Sequence, residues 1–385
     1  MTDNEKLAIR EYESKKGLKE LLLQQYSKKI EDLGLEDFSR VKRYLKVYYG
    51  VLDFHFDRDM VFAHLGFENI SSYLAKGQDF TVVSGLNPSS PLHFGHKVLF
   101  DLLSYLQTLG AFVYIPITSD ESYIDSKVSS IADSRRIGYG EIIPSILALG
   151  LKRERTRFYV LSDYPDIYNF AMYLSKYVDM GYLKSIFGED SLDNSGKIFY
   201  RAAVQLAQIL MPQLPEFGGK RDTLIPVGID QHPYLLLSRD IAKKTGFIPP
   251  SEMVFKFQPS LKNPLEKMSG SKPETAIYLT DDADTIKTKI TKAYTGSVSL
   301  LSVHRDLGAI PEICPVFSLL NFHCADNTLV KKTYEDYKSG KLTGGELKAL
   351  VTDFIVSVVC EHKKKRAQVG DYKDMLVSTP IRSFL

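Results

Sequence analysis

The sequence contains no tryptophan, and its three cysteines, Cys314, Cys324 and Cys360, are too far apart to form any C-x-x-C pair. A disulfide framework or a cysteine zinc site is therefore not what organises the chain, and no metal site is expected. No apolar run approaches the roughly 20 residues of a helical membrane span. The opening stretch, MTDNEKLAIREYESKKG, is charged throughout and lacks the apolar core of a secretory leader, so the expected compartment is the cytoplasm, with no membrane. An excess of one charge is missing too. Lys and Arg number 49 against 47 Asp and Glu, a net +2, which leaves no global basic field of the kind that marks a nucleic-acid binder. What remains, 44% hydrophobic and 25% charged residues over 385 positions, is the balance of a globular chain long enough for two or three domains.

Three regions follow from the patterning. Residues 1–75 read as a helical and aromatic-rich appendage, with a charged helix over 18–30 and no chemical motif. Residues 76–280 alternate β-rich runs (80–85, 111–118, 157–162, 223–229) with helices, the first helix spanning about 94–109 and ending at Gly110. Such alternation predicts an α/β fold, a Rossmann-like doubly wound parallel sheet whose ligand lies beyond the carboxyl ends of the strands. Residues 281–385 form a helical C-terminal domain, with helices over 282–293, 328–338 and 345–367; the last ends in the basic cluster Lys363, Lys364, Lys365 and Arg366.

Two strings carry chemistry. The first strand runs into SGLNPSSPLHFGHKVLF, where Gly85 permits close backbone approach and His93, Gly95 and His96 open a helix. A helix N-terminus attracts anions through its unpaired N–H groups and dipole, and two imidazoles add donors. About 170 residues later comes KMSGSKP (267–273), followed by AIYL, read as a short strand. Lysine and serines on a closing loop suit a triphosphate, whose leaving pyrophosphate needs positioned cations and hydroxyls.

With H-x-G-H and K-M-S-x-S in this order, the sequence resembles the class I aminoacyl-tRNA synthetases. The likeness is closer to the tryptophanyl-tRNA synthetases of eukaryotic and archaeal type, through TSDESYI, GKIFYRAAVQLAQIL, IPVGIDQHPYLLLSRDIA, KMSGSKPETAIYLTDDADTIKTKI and EHKKKR, from about Asp53 to Phe384. The resemblance implies ATP-dependent activation of an amino acid, with Mg2+ accompanying ATP, and transfer to tRNA by a homodimer, with residues 281–385 as its anticodon-binding domain. It implies catalytic roles for His93, His96, Lys267 and Ser271. Gly85, Gly95, Gly228, Asp230, Met268, Ser269 and Lys272 would join them around ATP. Val83, Gly85, Pro116, Glu121, Gln205 and Gln231 would surround the amino acid; Gln205 requires a one-residue gap in the match.

Two departures stand out. The fourth K-M-S-K-S position is Gly270, so the second lysine is gone, with Lys272 as a substitute charge. At Val83 and Pro116 the eukaryotic pattern has a tyrosine and a glutamine that bond the indole N–H, and neither residue here has a polar side chain. Ser84, Tyr114 and Gln208 are the alternative partners. Tryptophan activation is thus the leading reading; a homologue with altered, tyrosine-like amino acid choice, or a nucleotide-binding paralogue that does not charge tRNA, is the alternative.

Overall fold

The computed structural model describes residues 1–50 and 52–383; Val51 and residues 384–385, including the far end of the resemblance at Phe384, lie outside the described residues. Seven strands among them make one sheet: β1 (Glu36–Asp37), β2 (Val61–Leu65), β3 (Phe80–Val83), β4 (Ala111–Ile117), β5 (Thr156–Val160), β6 (Thr223–Gly228) and β7 (Ser251–Phe255). Their order is β1-β2-β7-β6-β3-β4-β5. Strands β3 to β7 are mutually parallel. The chain winds outward from β3 through β4 to β5, then returns to lay β6 and β7 on the other side of β3. That reversal puts a topological switch point between β3 and β6, where a doubly wound sheet opens a crevice for ligand.

The four expected strands are all present. The AIYL strand is not: apart from an isolated bridge between Tyr278 and His93, residues 276–279 are irregular. Strands β2 and β7 escaped the sequence reading. In β7 the apolar run is interrupted by Glu252, which the fold buries completely and pairs with His232 at 2.8 Å. The first 75 residues are more than an appendage, since β1 and β2 extend the same sheet by antiparallel pairing, β2 against β7.

The helix Phe94–Thr108 is apolar on more than one face. It buries Phe94, Val98, Leu99, Phe100, Leu102, Leu103 and Leu106 because it is covered twice. One side faces the sheet, and the other meets the helix Pro315–His323, with the His323 ring 4.8 Å from that of Phe94. One hydrophobic cluster therefore runs from the sheet into the C-terminal helices, reaching Leu347, Val351, Ile355 and Val359 of Gly344–Ala367. The N-terminal helix, Asp3–Asp32, is longer than expected because Thr2 and Glu5 form a reciprocal cap at its start. Its Lys19 reaches Glu312 of the C-terminal region at 2.8 Å.

The basic cluster at the end of Gly344–Ala367 is mostly engaged. Arg366 bonds Glu141 at 2.7 Å and the Gly140 carbonyl, Lys363 donates to the Asp281 carbonyl, and Lys365 pairs with Glu361. Only Lys364 of the four has no partner among the described residues. After this helix the chain turns back along the outer edge of β5, where the Val377 N–H donates to the Phe158 carbonyl at 2.8 Å. That contact covers a sheet edge otherwise open to pairing.

Candidate active site

His93 sits just before the helix Phe94–Thr108 as its N-cap, and its Nδ1 accepts the Gly95 N–H at 3.1 Å. His96, three residues on, returns the contact: its Nδ1 accepts the His93 N–H at 3.3 Å. The two rings stack 3.8 Å apart. Burial holds both imidazoles in the neutral form, with the positive charge of Lys267 acting the same way; His93 lies well below its usual pKa and His96 is pushed down to about 4. Because each Nδ1 acts as an acceptor, each ring proton belongs on Nε2. The sequence places two histidines at a helix start; the fold makes them two neutral Nε2–H donors.

The glycines serve these side chains directly. A Cβ on Gly95 would lie 2.9 Å from the His93 ring, one on Gly85 2.2 Å from the Pro116 carbonyl oxygen, and one on Gly228 2.2 Å from the Phe257 ring. All three are under the 3.0 Å that real Cβ contacts observe. Gly270 meets the same limit, with its Cβ position 2.6 Å from Ser90 Oγ. That contact gives a steric reason for the missing lysine: the K-M-S-x-S loop lies directly on the S-S-P-L-H segment.

A cavity of about 620 Å³ opens where the two motifs meet. Its walls include His93, Gly95 and His96 from one motif, and Lys267, Met268, Ser269 and Ser271 from the other. Asp230 does not line it but holds Lys267 at 2.6 Å. Both partners are about half exposed, 50% and 42%, so the pair is worth no more than about 1 kcal/mol and is readily exchanged for another anion. Lys272 faces away and pairs with Glu266 at 3.3 Å, so it does not replace the lost lysine inside the cavity. Gly85 and Gly228 also stay outside the lining.

Sequence reasoning missed Ser89, Ser90, Lys127 and Gln258, which also line the walls. Gln258 is 2% exposed, and neither its amide nitrogen nor its oxygen has a partner. An unpaired buried amide costs free energy unless a ligand satisfies it. No Asp or Glu lines the cavity, which therefore carries lysines, hydroxyls and imidazole donors with no opposing carboxylate. These are features of an anion site with a base-sized polar contact at one side. No metal site was expected; one group with ligand spacing, Glu36, His64 and Glu68, stands at the β1–β2 edge, none of it in the cavity lining.

Comparison with known proteins agrees with this geometry. The sequence model of the tRNA synthetases class I (W and Y) matches residues 75–359. The chain belongs to this family. It is 36% identical to the tryptophan–tRNA ligase of Methanocaldococcus jannaschii over 353 residues, 90% of this chain and 93% of that one. The tryptophan–tRNA ligase of Pyrococcus abyssi is 34% identical over 346 residues, 89% of this chain and 88% of its own. Among solved structures, the tryptophanyl-tRNA synthetase of Aeropyrum pernix K1 superposes with a TM-score of 0.84 at 30% identity, covering 94% of this chain and 98% of that one. The Encephalitozoon cuniculi enzyme bound to tryptophan gives 0.80 at 28% identity, over 90% and 95% of the two chains. These relatives do not favour the alternative of altered amino acid choice or a paralogue that does not charge tRNA.

The residues expected around the amino acid lie elsewhere. None of Val83, Gly85, Pro116, Glu121, Gln205 and Gln231 lines the cavity where the two motifs meet. Val83 is 2% exposed and belongs to a cluster with Tyr114, Tyr159, Tyr200 and Ala207. Pro116 stands opposite Tyr159 in the β4–β5 register. Glu121 accepts from the Thr118 hydroxyl at 2.8 Å, burial raises its pKa, and its charge is felt at Tyr200 and Tyr234. Gln205 and Gln231 are half-buried and make no hydrogen bond through their side chains. Gln205 follows a π-helical turn, Tyr200–Val204. A turn of that kind takes up one extra residue, the size of the gap that the resemblance required at Gln205.

Of the three alternative indole partners, Ser84 is committed, its hydroxyl donating to the Pro226 carbonyl at 2.9 Å. The Tyr114 hydroxyl has no hydrogen-bond partner among the described residues, and burial raises its pKa. Gln208, 3% exposed, donates its amide N–H to Tyr200 Oη at 3.0 Å. Its oxygen is thereby left free.

Proposed function

We propose that this chain activates tryptophan with ATP, through an aminoacyl-adenylate, and transfers it to tRNA. The observation that carries the reading is the cavity in which two neutral Nε2–H imidazoles, Lys267, Ser269 and Ser271 meet without a carboxylate, at a helix N-terminus beyond the parallel strands. In the activation step the amino acid carboxylate attacks the α-phosphorus, the bond to the bridging oxygen breaks, and pyrophosphate leaves with the electron pair. His93 and His96 donate to phosphate oxygens without changing protonation. Lys267 exchanges Asp230 for the leaving pyrophosphate, with Ser269 and Ser271 adding hydroxyl donors. Mg2+ bound to ATP would offset phosphate charge; no carboxylate among the described residues lines the cavity to hold the ion itself. Gln258 meets the nucleoside, and Glu121, Gln205 and Gln231 meet the amino acid's ammonium group.

The indole N–H, which Val83 and Pro116 cannot accept, goes to the free oxygen of Gln208. The protein works in the cytoplasm as a homodimer; exposed Tyr123, Met172 and Met180 on the α/β half support a contact there. Light scattering that finds a 43.6 kDa particle at micromolar concentration would refute the dimer. The deciding experiment is amino-acid-dependent exchange of pyrophosphate into ATP across all twenty amino acids, followed by tRNA charging. Exchange with tryptophan alone is expected; exchange with tyrosine in its place, or with no amino acid, overturns the proposal.

A further inference from the structure

A second cavity, of about 490 Å³, lies between the N-terminal helix, the end of β7 and the C-terminal helices, and the proposed reaction does not use it. Its walls are largely apolar, with Leu22, Phe257, Phe317, Phe322 and Val330 among them. That size and lining suit a small organic molecule.

The polar groups on its walls are unevenly satisfied. Arg58 spends its guanidinium on the Asn321 and Cys324 carbonyls and the Asn327 side chain. Glu312 is tied to Lys19 and Tyr334, and Asp57 pairs with Lys46 at 3.4 Å. Five of its side chains have no hydrogen bond or ion pair among the described residues: Lys256, Tyr26, Ser318, Asn321 and the exposed Lys331 at the rim. All five can donate. Lys256 is the informative one, because burial lowers its pKa and its nearest partner is the face of the Tyr26 ring, 5.4 Å away. The Asp59 carboxylate, the acid that acts on it, is already held by Lys42 at 2.8 Å. A half-buried ammonium facing an apolar space without a counter-ion is a costly arrangement that an oxyanion would relieve.

We propose that this cavity binds an amphiphilic organic anion, an aromatic or aliphatic body carrying a carboxylate or sulfonate, with the anionic group on Lys256 and the body against Phe257, Phe322 and Val330. A purely apolar ligand would leave Lys256 unsatisfied. A nucleotide is the wrong shape of charge for a space whose one half-buried free cation is Lys256, with the other free lysine, Lys331, exposed to solvent.

The probe is 8-anilinonaphthalene-1-sulfonate, titrated by its fluorescence into the full chain, beside N-phenyl-1-naphthylamine, which has the same rings and no sulfonate. One equivalent of the sulfonate is expected to bind, undisplaced by ATP. Lys256→Gln should weaken it at least tenfold and leave the neutral amine unchanged, while Lys256→Arg should retain it. Val330→Trp, which fills the cavity, should remove both probes. Circular dichroism melts confirm that each variant is folded. The proposal is overturned if the Gln variant binds the sulfonate as tightly as the parent, if both probes weaken equally in that variant, if ATP displaces the sulfonate, or if no sulfonate binds.

Discussion

Placing a side chain at Gly270 tests whether the fourth position of the K-M-S-x-S loop is glycine for steric reasons. A Cβ there would sit 2.6 Å from Ser90 Oγ and 3.6 Å from Ser90 Cβ. The loop cannot simply retreat, since the Gly270 carbonyl accepts from Tyr278 Oη at 3.1 Å and losing that bond costs about 1 kcal/mol. Ser90 can rotate, giving up only its long 3.4 Å contact to the Pro91 carbonyl, but it then turns within the wall of the cavity of about 620 Å³. Either response moves the loop or the wall by a few tenths of an ångström. Gly270→Ala is therefore expected to lower kcat/KM for ATP in pyrophosphate exchange by about 5- to 30-fold, roughly 1 to 2 kcal/mol. In a Ser90→Ala background the 2.6 Å contact is gone and the same change should cost less than about 0.5 kcal/mol, a coupling of about 1 kcal/mol between the two sites. Gly270→Lys, which restores the full motif, should gain nothing unless Ser90 is also shortened. An equal loss in both backgrounds would refute the steric account and assign the effect to loop stiffness.

Three further outcomes follow from the same geometry. Lys267→Ala should cost about 2 to 4 kcal/mol in the transition state and less in ATP binding; an equal effect on turnover and affinity would show that Lys267 grips the ground state. His96 and His323 are both buried and pushed down from 6.5 to about 4. The unfolded chain takes up protons below 6.5 that the folded one refuses, so stability is complete above 6.5 and falls as pH drops toward 4, by up to about 3 kcal/mol per histidine; a urea midpoint constant over that window would refute it. Asp101, lowered from 3.8 to about 2, loses its contribution only below 3.8 and leaves the window clear. Gln208→Leu should weaken tryptophan by about 1 to 3 kcal/mol with ATP unaffected, read from ligand emission without intrinsic Trp background; unchanged binding would place the indole acceptor elsewhere.

How much of this was legible in the sequence depends on the distance over which each signal acts. H-F-G-H and K-M-S-G-S could be read because their chemistry is local: a helix start, a loop, and donors within a few residues of each other. The parallel strands could be read because burial on both faces leaves continuous apolar runs. Strand β7 could not, because Glu252 looks like a break until His232, twenty residues away, is brought beside it. The contacts at the basic end of Gly344–Ala367 could not be read either: Arg366 on Glu141 and Lys363 on the Asp281 carbonyl fasten the last helix to residues more than 80 positions away in the chain. Arg366→Gln should thus destabilise the fold where Lys364→Gln does not.

The amino acid side of the site shows the same limit from the other direction. Position by position, Val83 and Pro116 remove the two groups that hold an indole N–H, and a reading confined to aligned positions must conclude that the substrate has changed. The fold offers a different route. Pro116 lies opposite Tyr159 in the sheet, and Tyr159 Oη donates to the main-chain carbonyl of Gln208. The Gln208 side chain in turn reaches Tyr200. A polar network therefore stands on the helix facing these strands, supplied by residues that no local pattern ties to Val83. Hydrogen-bonding capacity belongs to the pocket rather than to a position, so a lost acceptor on one strand is compatible with recognition of the same ring from the helix above it. On this account Val83→Tyr should not improve tryptophan binding, because Val83 is packed at 2% exposure and a larger ring there would crowd Tyr114 and Tyr159. A tightening by Val83→Tyr would mean that the strand position still governs the indole and that Gln208 does not.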